Sequence, residues 1–295
     1  MIIVMQQNAD EAAVQNVVSN IRQRGLFEHI SRGQERIIIG AVGDERVFDV
    51  AEMMRLPQVE KAIRIVHDWR LVSREACEND TVIHVRGVSF GGGAHQTVWR
   101  IDDRHNRLPE SDAAAVLLDP FYLPECPYAF SGSLNELATV QQLSAQIDFW
   151  HTQNKVLMVR VRDSKHVQAA LNVEADMIYL GGELLNNRYL LREVGCLNVP
   201  VIVCKDVHHS VRDWLVAAEQ IVLCGNQHVI LGEAGTAWAL GEGLRLDIDA
   251  IVQAKKLSHL PVLANISDLL NAYMDESTLL ALAQIVGVDA VVRAA

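Results

Sequence analysis

The chain has 295 residues, half of them apolar and about one-fifth charged, enough for a sizeable core in one large or two unequal domains. Its formal charge of −11 excludes the basic face needed to neutralise nucleic-acid phosphates and gives an anionic membrane surface nothing to attract. No apolar run reaches the ~20 residues of a bilayer span, and Met1–Gln7 lacks the basic flank of a secretion signal, so a cytoplasmic protein is expected.

In chain order, Ile2–Val4 reads as a strand. Glu11–Arg24 carries Val14, Val17, Val18 and Ile21 at helical spacing and ends at Gly25. Ile37–Ile39 reads as a strand, Val50 to Met54 and beyond as a helix, and Ala62–Val66 as a strand. This gives residues 1–75 the β-α-β-β-α-β order of a ferredoxin-like domain. Residues 76–95 form a connector with a hairpin, Thr81–Val85 and Gly87–Phe90, ending in Gly91-Gly92-Gly93. Without a following helix N-terminus, a Lys or a Ser/Thr, the glycines read as a turn and not as a phosphate cradle.

Over residues 96–295, short apolar strands recur at Thr97–Ile101, Ala115–Leu118, Val156–Val159, Met177–Leu180, Val201–Cys204, Val229–Leu231, Val262–Ala264 and Ala290–Val292. Eight strands with helical stretches between most of them predict an α/β fold, a parallel barrel of the TIM type. The Asp102–Asp112 link is barely long enough for a helical crossover. No closing helix follows the eighth strand, so the barrel is expected to be trimmed and its bare side covered by self-association, at least a dimer. Five scattered cysteines, Cys77, Cys126, Cys196, Cys204 and Cys224, are expected to be buried, reduced thiols.

Several motifs in this order resemble one family. They are His29-Ile30-Ser31-Arg32-Gly33-Gln34-Glu35-Arg36, Val42-Gly43-Asp44 and Leu71-Val72-Ser73-Arg74-Glu75, followed by Pro127-Tyr128-Ala129-Phe130-Ser131-Gly132. Leu246-Asp247 and Ser258-His259-Leu260-Pro261-Val262 complete the set, with Gly181 and Gly235 in matching loops. The chain resembles the 3-deoxy-heptulosonate-7-phosphate (DAHP) synthases of the aromatic amino acid (shikimate) pathway, in the subgroup with an N-terminal ferredoxin-like regulatory domain. The resemblance implies condensation of phosphoenolpyruvate with erythrose 4-phosphate, a divalent metal polarising the aldehyde and Arg and Lys holding the phosphates. It also implies His29 and Ser31 as contacts for an aromatic amino acid, tyrosine or phenylalanine, whose polar groups an imidazole and a hydroxyl suit. The competing reading is a turn kept for the shape of the domain.

The same resemblance exposes departures. The thiolate-bearing Gly-Pro-Cys after the first barrel strand is here Trp99-Arg100-Ile101-Asp102. The Arg/Lys-rich second strand end is Leu118-Asp119-Pro120-Phe121-Tyr122-Leu123-Pro124. Gly-Ala-Arg-Asn becomes Gly181-Gly182-Glu183-Leu184, Lys-Arg-Gly becomes Cys204-Lys205-Asp206, and Glu-Arg-Gly becomes Glu233-Ala234-Gly235. Asp-Pro-Ser-His becomes Asn265-Ile266-Ser267-Asp268, and the last metal glutamate falls near Ala294. On this reading no metal set and no cofactor is expected. Only Arg160, Lys205 or Arg293 would remain for anions, against Asp119, Glu183, Asp206, Glu233 and Asp268. With ~4 kcal/mol per unit charge at ~4 Å, such a rim would repel sugar phosphates.

The expectation is therefore a catalytically inactive member that binds an aromatic amino acid or an authentic synthase subunit. The alternative is a synthase with weak or remodelled activity, and a third option is a structural partner. Among minor features, Asp163 and Asp268 are expected to be helix N-caps, His208-His209 a solvated loop, Cys204 inert, and Trp238 a plug in the barrel mouth.

Overall fold

The computed structural model describes residues 1–32, 37–43, 49–63, 68–101, 113–123, 128, 136–237 and 243–295. The N-terminal unit comprises β1 (Ile2–Met5), α1 (Glu11–Gln23), β2 (Phe27–Arg32), β3 (Ile37–Val42), α2 (Val50–Met53) and β4 (Val59–Ile63). Its antiparallel sheet has the order β2-β3-β1-β4. Alternation along β1 sorts two cores: Met1, Ile3 and Met5 pack under α1, while Ile2 and Val4 join a cluster shared with the barrel. Helix α1 begins where Asp10 accepts from the Ala13 amide at 2.8 Å, and it buries the predicted stripe Val14, Val17, Val18 and Ile21.

Three details differ from the sequence reading. Helix α2 is a single turn ending at Met53. The fourth strand starts at Val59 rather than Ala62, and residues 64–66 lie outside the described residues. The His29–Arg32 segment is part of strand β2, not a turn. Its polar, half-exposed composition hides an edge strand that ladders fully with β3, from Phe27 opposite Val42 to Arg32 opposite Ile37.

A hairpin of β5 (Ile83–Val85) and β6 (Val88–Phe90) leads into the barrel. The barrel elements are β7 (Gln96–Ile101), β8 (Ala115–Leu118), α3 (Glu136–Thr152), β9 (Val156–Val161), α4 (Ser164–Asn172), β10 (Met177–Leu180), α5 (Arg188–Gly195), β11 (Val201–Cys204), α6 (Val211–Leu223) and β12 (Val229–Glu233). After a small ribbon of β13 (Thr236–Ala237) and β14 (Leu244–Arg245) come α7 (Ile248–Leu257), β15 (Val262–Asn265), α8 (Glu276–Ile285) and β16 (Ala290–Ala294). The eight parallel strands close on themselves, with β16 pairing β7 from Ala290 opposite Gln96 to Ala294 opposite Arg100. The short first crossover falls on residues 102–112, outside the described ones.

Strands such as Val201–Cys204 are apolar throughout because both faces are buried, one inside the barrel and one under the helices. Ile83, Val85 and Phe90 of the hairpin join Val98, Ala115, Val156 and Met177 in the interior cluster, so the hairpin stops the N-terminal end of the barrel. No helix among the described residues is long and apolar enough to cross a membrane.

The sheet docks on the α6 side of the barrel. Ile2, Val4, Trp69, Leu71 and Val72 share one buried cluster with Trp214, Ala218 and Ile221. Buried Glu219 accepts from the Leu71 amide at 2.9 Å and the Val72 amide at 3.0 Å, fixing the interdomain strap. Burial pushes the Glu219 carboxyl up, against the pull of those amides.

Candidate active site at the barrel mouth

In parallel barrels the strand C-termini and the loops after them form the reactive face. Here that face begins with a polar chain across the interior. Tyr179, buried on β10, accepts from Asn265 Nδ2 at 3.0 Å, and Ser267 donates to Asn265 Oδ1 at 2.7 Å. Arg100, near the end of β7, donates to Ser267 Oγ at 2.9 Å and pairs with Asp268. Asp268 therefore caps no helix; the next helix, α8, is capped by Asp275. Asp163 does cap α4, accepting from His166 at 2.9 Å.

Beside this chain stands a quartet of alternating charge. Arg160 Nη2 lies 3.0 and 3.1 Å from the two Glu183 oxygens. Arg162 Nη2 lies 2.6 Å from Asp119 and its Nη1 3.3 Å from Glu183. Arg160 also sits 3.7 Å from Asp119 and packs over the Tyr179 ring, while Arg162 packs over Tyr122. Burial opposes the Arg160 charge, but Tyr179, Glu183 and Asp119 outweigh it and raise its pKa. Among the described residues, the Nε atoms of both arginines and Oδ1 of Asp119 are buried without a partner. The quartet is thus neutral overall, with two N–H donors that no described residue uses.

This corrects the expected acidic rim. Asp119 and Glu183 face Arg160 and Arg162, Asp268 faces Arg100, and Asp206 faces His209 at 3.1 Å. His209 also meets Asn186 at 2.6 Å, so it belongs to a loop contact and is not simply solvated. The cations missing from the end of β8 stand on β9, one strand over. Arg100 and Arg162 escaped notice, although Arg160-Val161-Arg162 directly after an apolar run was a legible signal for a basic strand end.

Lys205 and Arg160, the two expected anion contacts, sit on strand ends two apart. Lys205 is 2% exposed and its Nζ lies 3.2 Å from Asp247, which also caps α7. Arg293 is committed to Glu276 at 2.8 Å and lies over Trp99. Beside Lys205, Glu233 is fully buried; burial pushes its carboxyl up to about 7, only partly offset by the Gly235 amide at 2.9 Å and by Lys205. Its Oε2 has no hydrogen-bond partner among the described residues. Cys204 is buried and its thiol is pushed up to about 12, mainly by desolvation, as suits an inert cysteine. Cys196, by contrast, is exposed, against the expectation of buried thiols. Trp238 and Cys126 lie outside the described residues, as does Pro127–Gly132 apart from an exposed Tyr128.

The divalent ion implied by the resemblance needs several thiolate, imidazole or carboxylate donors in fixed geometry. Where the first and seventh barrel strands would supply them, the structure places a guanidinium, Arg100, hydrogen-bonded to Ser267 and paired with Asp268. Among the described residues no three His, Cys, Asp or Glu side chains converge. The described residues do not fit a divalent ion.

A second concavity lies between the domains. His29 and Ser31 point from the same face of β2 toward the barrel, since His29 opposes Gly40, which in turn opposes Ile2. Ser31 Oγ accepts from Gln227 Nε2 at 2.6 Å. His29, whose pKa burial lowers, lines a cleft of about 230 Å³ with Gly40, Val42, Asp68, Arg70, Glu219 and Leu223.

Comparisons with known proteins agree with this architecture. Residues 1–67 match the model of the DAHP synthase ferredoxin-like domain, and residues 122–271 match that of the DAHP synthetase I family. A phospho-2-dehydro-3-deoxyheptonate aldolase of Thermotoga maritima is 30% identical over 275 residues, covering 90% of this chain and 80% of that protein. The crystal structure of a DAHP synthase from the same organism superposes with a TM-score of 0.66 at 24% identity, over 99% of this chain and 86% of that one. A truncated form of the Thermotoga maritima synthase gives a TM-score of 0.64 at 22% identity, over 77% and 84% of the two chains. These two show the fold. The expectation that the chain is not an enzyme is corrected here, because its relative over most of its length is named as one and its rim is not the anion-repelling surface supposed.

Proposed function

The chain belongs to the DAHP synthase family, and on that premise we propose that its barrel mouth condenses phosphoenolpyruvate with erythrose 4-phosphate. The observation that carries this reading is the pair of guanidiniums at the end of β9, each with an Nε donor that no described residue engages. Arg160 and Arg162 are held in place by Glu183 and Asp119, and an arriving phosphate would exchange with those carboxylates as the bidentate partner. Carbon–carbon bond formation at an aldehyde develops negative charge on its oxygen, which fixed N–H donors stabilise. Arg100, oriented by Ser267 and Asp268, supplies such donors at the mouth.

A steady-state assay with both phosphorylated substrates, run with Mn²⁺ and with EDTA, tests the reading. Turnover that Arg160→Ala or Arg162→Ala weakens through a raised KM for a phosphorylated substrate supports it. No turnover under either condition, with the chain folded, removes it.

A regulatory role for the N-terminal domain follows from the interdomain cleft. Tyrosine or phenylalanine would enter beside His29 and Ser31, with Arg70 and Asp68 offering both signs of charge to an amphoteric molecule. The small size of the cleft, below the ~300 Å³ of most ligand pockets, favours a single amino acid. Phe27 and Val42, paired and exposed on the sheet edge, favour self-association of the same domain. Calorimetry with both amino acids decides: heat that His29→Ala removes supports the site, and no heat with either dismisses it.

A further inference from the structure

Two thiols unused by any of the above meet at the far end of the barrel from its mouth. Helix α5 ends at Gly195, and Cys196 caps it, its amide donating to the Arg192 and Glu193 carbonyls. Helix α6 ends at Leu223, and Cys224 caps it in the same way through the Ile221 and Val222 carbonyls. Gly195 lets the two helix ends close up: a Cβ there would lie 2.7 Å from Cys224 Cβ and 2.8 Å from the Ile221 carbonyl oxygen. With no side chain between the helices, residue 196 is brought beside residue 224. The Cys224 thiol therefore has Cys196 and the Arg192 guanidinium as its electrostatic neighbours. Cys196 is exposed and Cys224 partly so.

We propose that Cys196 and Cys224 form a redox-active dithiol that closes to a disulfide by exchange with a low-molecular-weight disulfide, stapling α5 to α6. The exposed Cys196 thiolate attacks one sulfur of the small disulfide; that S–S bond breaks and one small thiolate leaves, taking a proton from water. Cys224, having lost its proton to solvent, attacks the Cys196 sulfur of the mixed disulfide and displaces the second small thiolate. Two protein thiols are oxidised and one small disulfide is reduced to two thiols. Arg192 stabilises the Cys224 thiolate during the second step, while burial holds its pKa above the usual thiol value and makes closure faster in mild alkali.

The staple acts on the domain interface. Helix α6 carries Glu219, which grips the Leu71 and Val72 amides, and Leu223, which lines the interdomain cleft. Gln227, just beyond Cys224, donates to Ser31. Cys204 is too deeply buried to compete, and Cys77 instead contacts the Asn79 carbonyl oxygen.

The test uses the full folded chain and oxidised glutathione at mildly alkaline pH, quenched by alkylation and read by peptide mass mapping. The expected product is a Cys196–Cys224 cross-linked peptide pair that dithiothreitol dissolves. Cys224→Ser should leave a lasting glutathione adduct on Cys196, and Cys77→Ser should change nothing. Three results overturn the proposal: a stable glutathione adduct on wild-type Cys196, both thiols remaining open to alkylation, or a cross-link that forms only in the urea-unfolded chain.

Discussion

Replacing Glu233 by Gln isolates a carboxyl that the fold holds in the wrong charge state. Its pKa rises from 4.5 to about 7, because burial in a site already holding the Lys205–Asp247 pair disfavours a second negative charge. Each pKa unit is worth ~1.4 kcal/mol, so forcing ionisation in the native state costs about 3 kcal/mol. For a folded pKa raised above the unfolded value, the contribution is fully present below pH 4.5 and is lost as pH climbs through about 7. The amide in Glu233→Gln keeps an acceptor for the Gly235 amide and never ionises. Urea midpoints of both proteins between pH 5 and 8 give a difference curve to which other groups contribute equally. The variant should gain relative stability between pH 5 and about 7 and level off above, at about 3 kcal/mol. A flat difference curve would show that Glu233 ionises normally and that the buried cluster has been misread.

Arg162→Ala should leave Asp119, a largely buried carboxylate, with the 3.7 Å contact to Arg160 as its remaining ion pair among the described residues. The cost is about 2 kcal/mol in stability, with a rise in KM for one phosphorylated substrate of roughly tenfold or more; unchanged KM values would remove Arg162 from the site. Glu219→Ala strips the acceptor from the Leu71 and Val72 amides and should cost about 2–4 kcal/mol, with faster hydrogen exchange at those two amides before any other in the strap. Gly232→Ala places a methyl against Cys204 Sγ and Ile202 inside the barrel and should lower stability by about 1–3 kcal/mol. A thermal midpoint equal to wild type would mean the interior has slack there.

The barrel was legible because its strands are uninterrupted apolar runs between turns. Ala115–Leu118, Met177–Leu180 and Val201–Cys204 match their expected bounds. The strand ends run longer than the sequence reading has them: Arg160, Glu233, Asn265 and Arg293 extend β9, β12, β15 and β16 beyond the apolar stretch. Apolar patterning ends where a strand leaves the core, which is where a barrel keeps its polar side chains. The rim's charge balance was unreadable for another reason. Asp119 meets Arg162, Arg160 meets Glu183 and Arg100 meets Asp268 through closure of the barrel, across separations that no local spacing reveals. Ser31 and Gln227, 196 residues apart, make the same point for the domain interface.

Phe90 and its hairpin turn the barrel into a vessel with a floor. Under the proposed function, whatever binds at Arg160 and Arg162 would arrive and depart on that one side, because the hairpin packs the opposite end. Phe90→Ala would hollow out that floor, and gas or small-solute probes would then find a second way in.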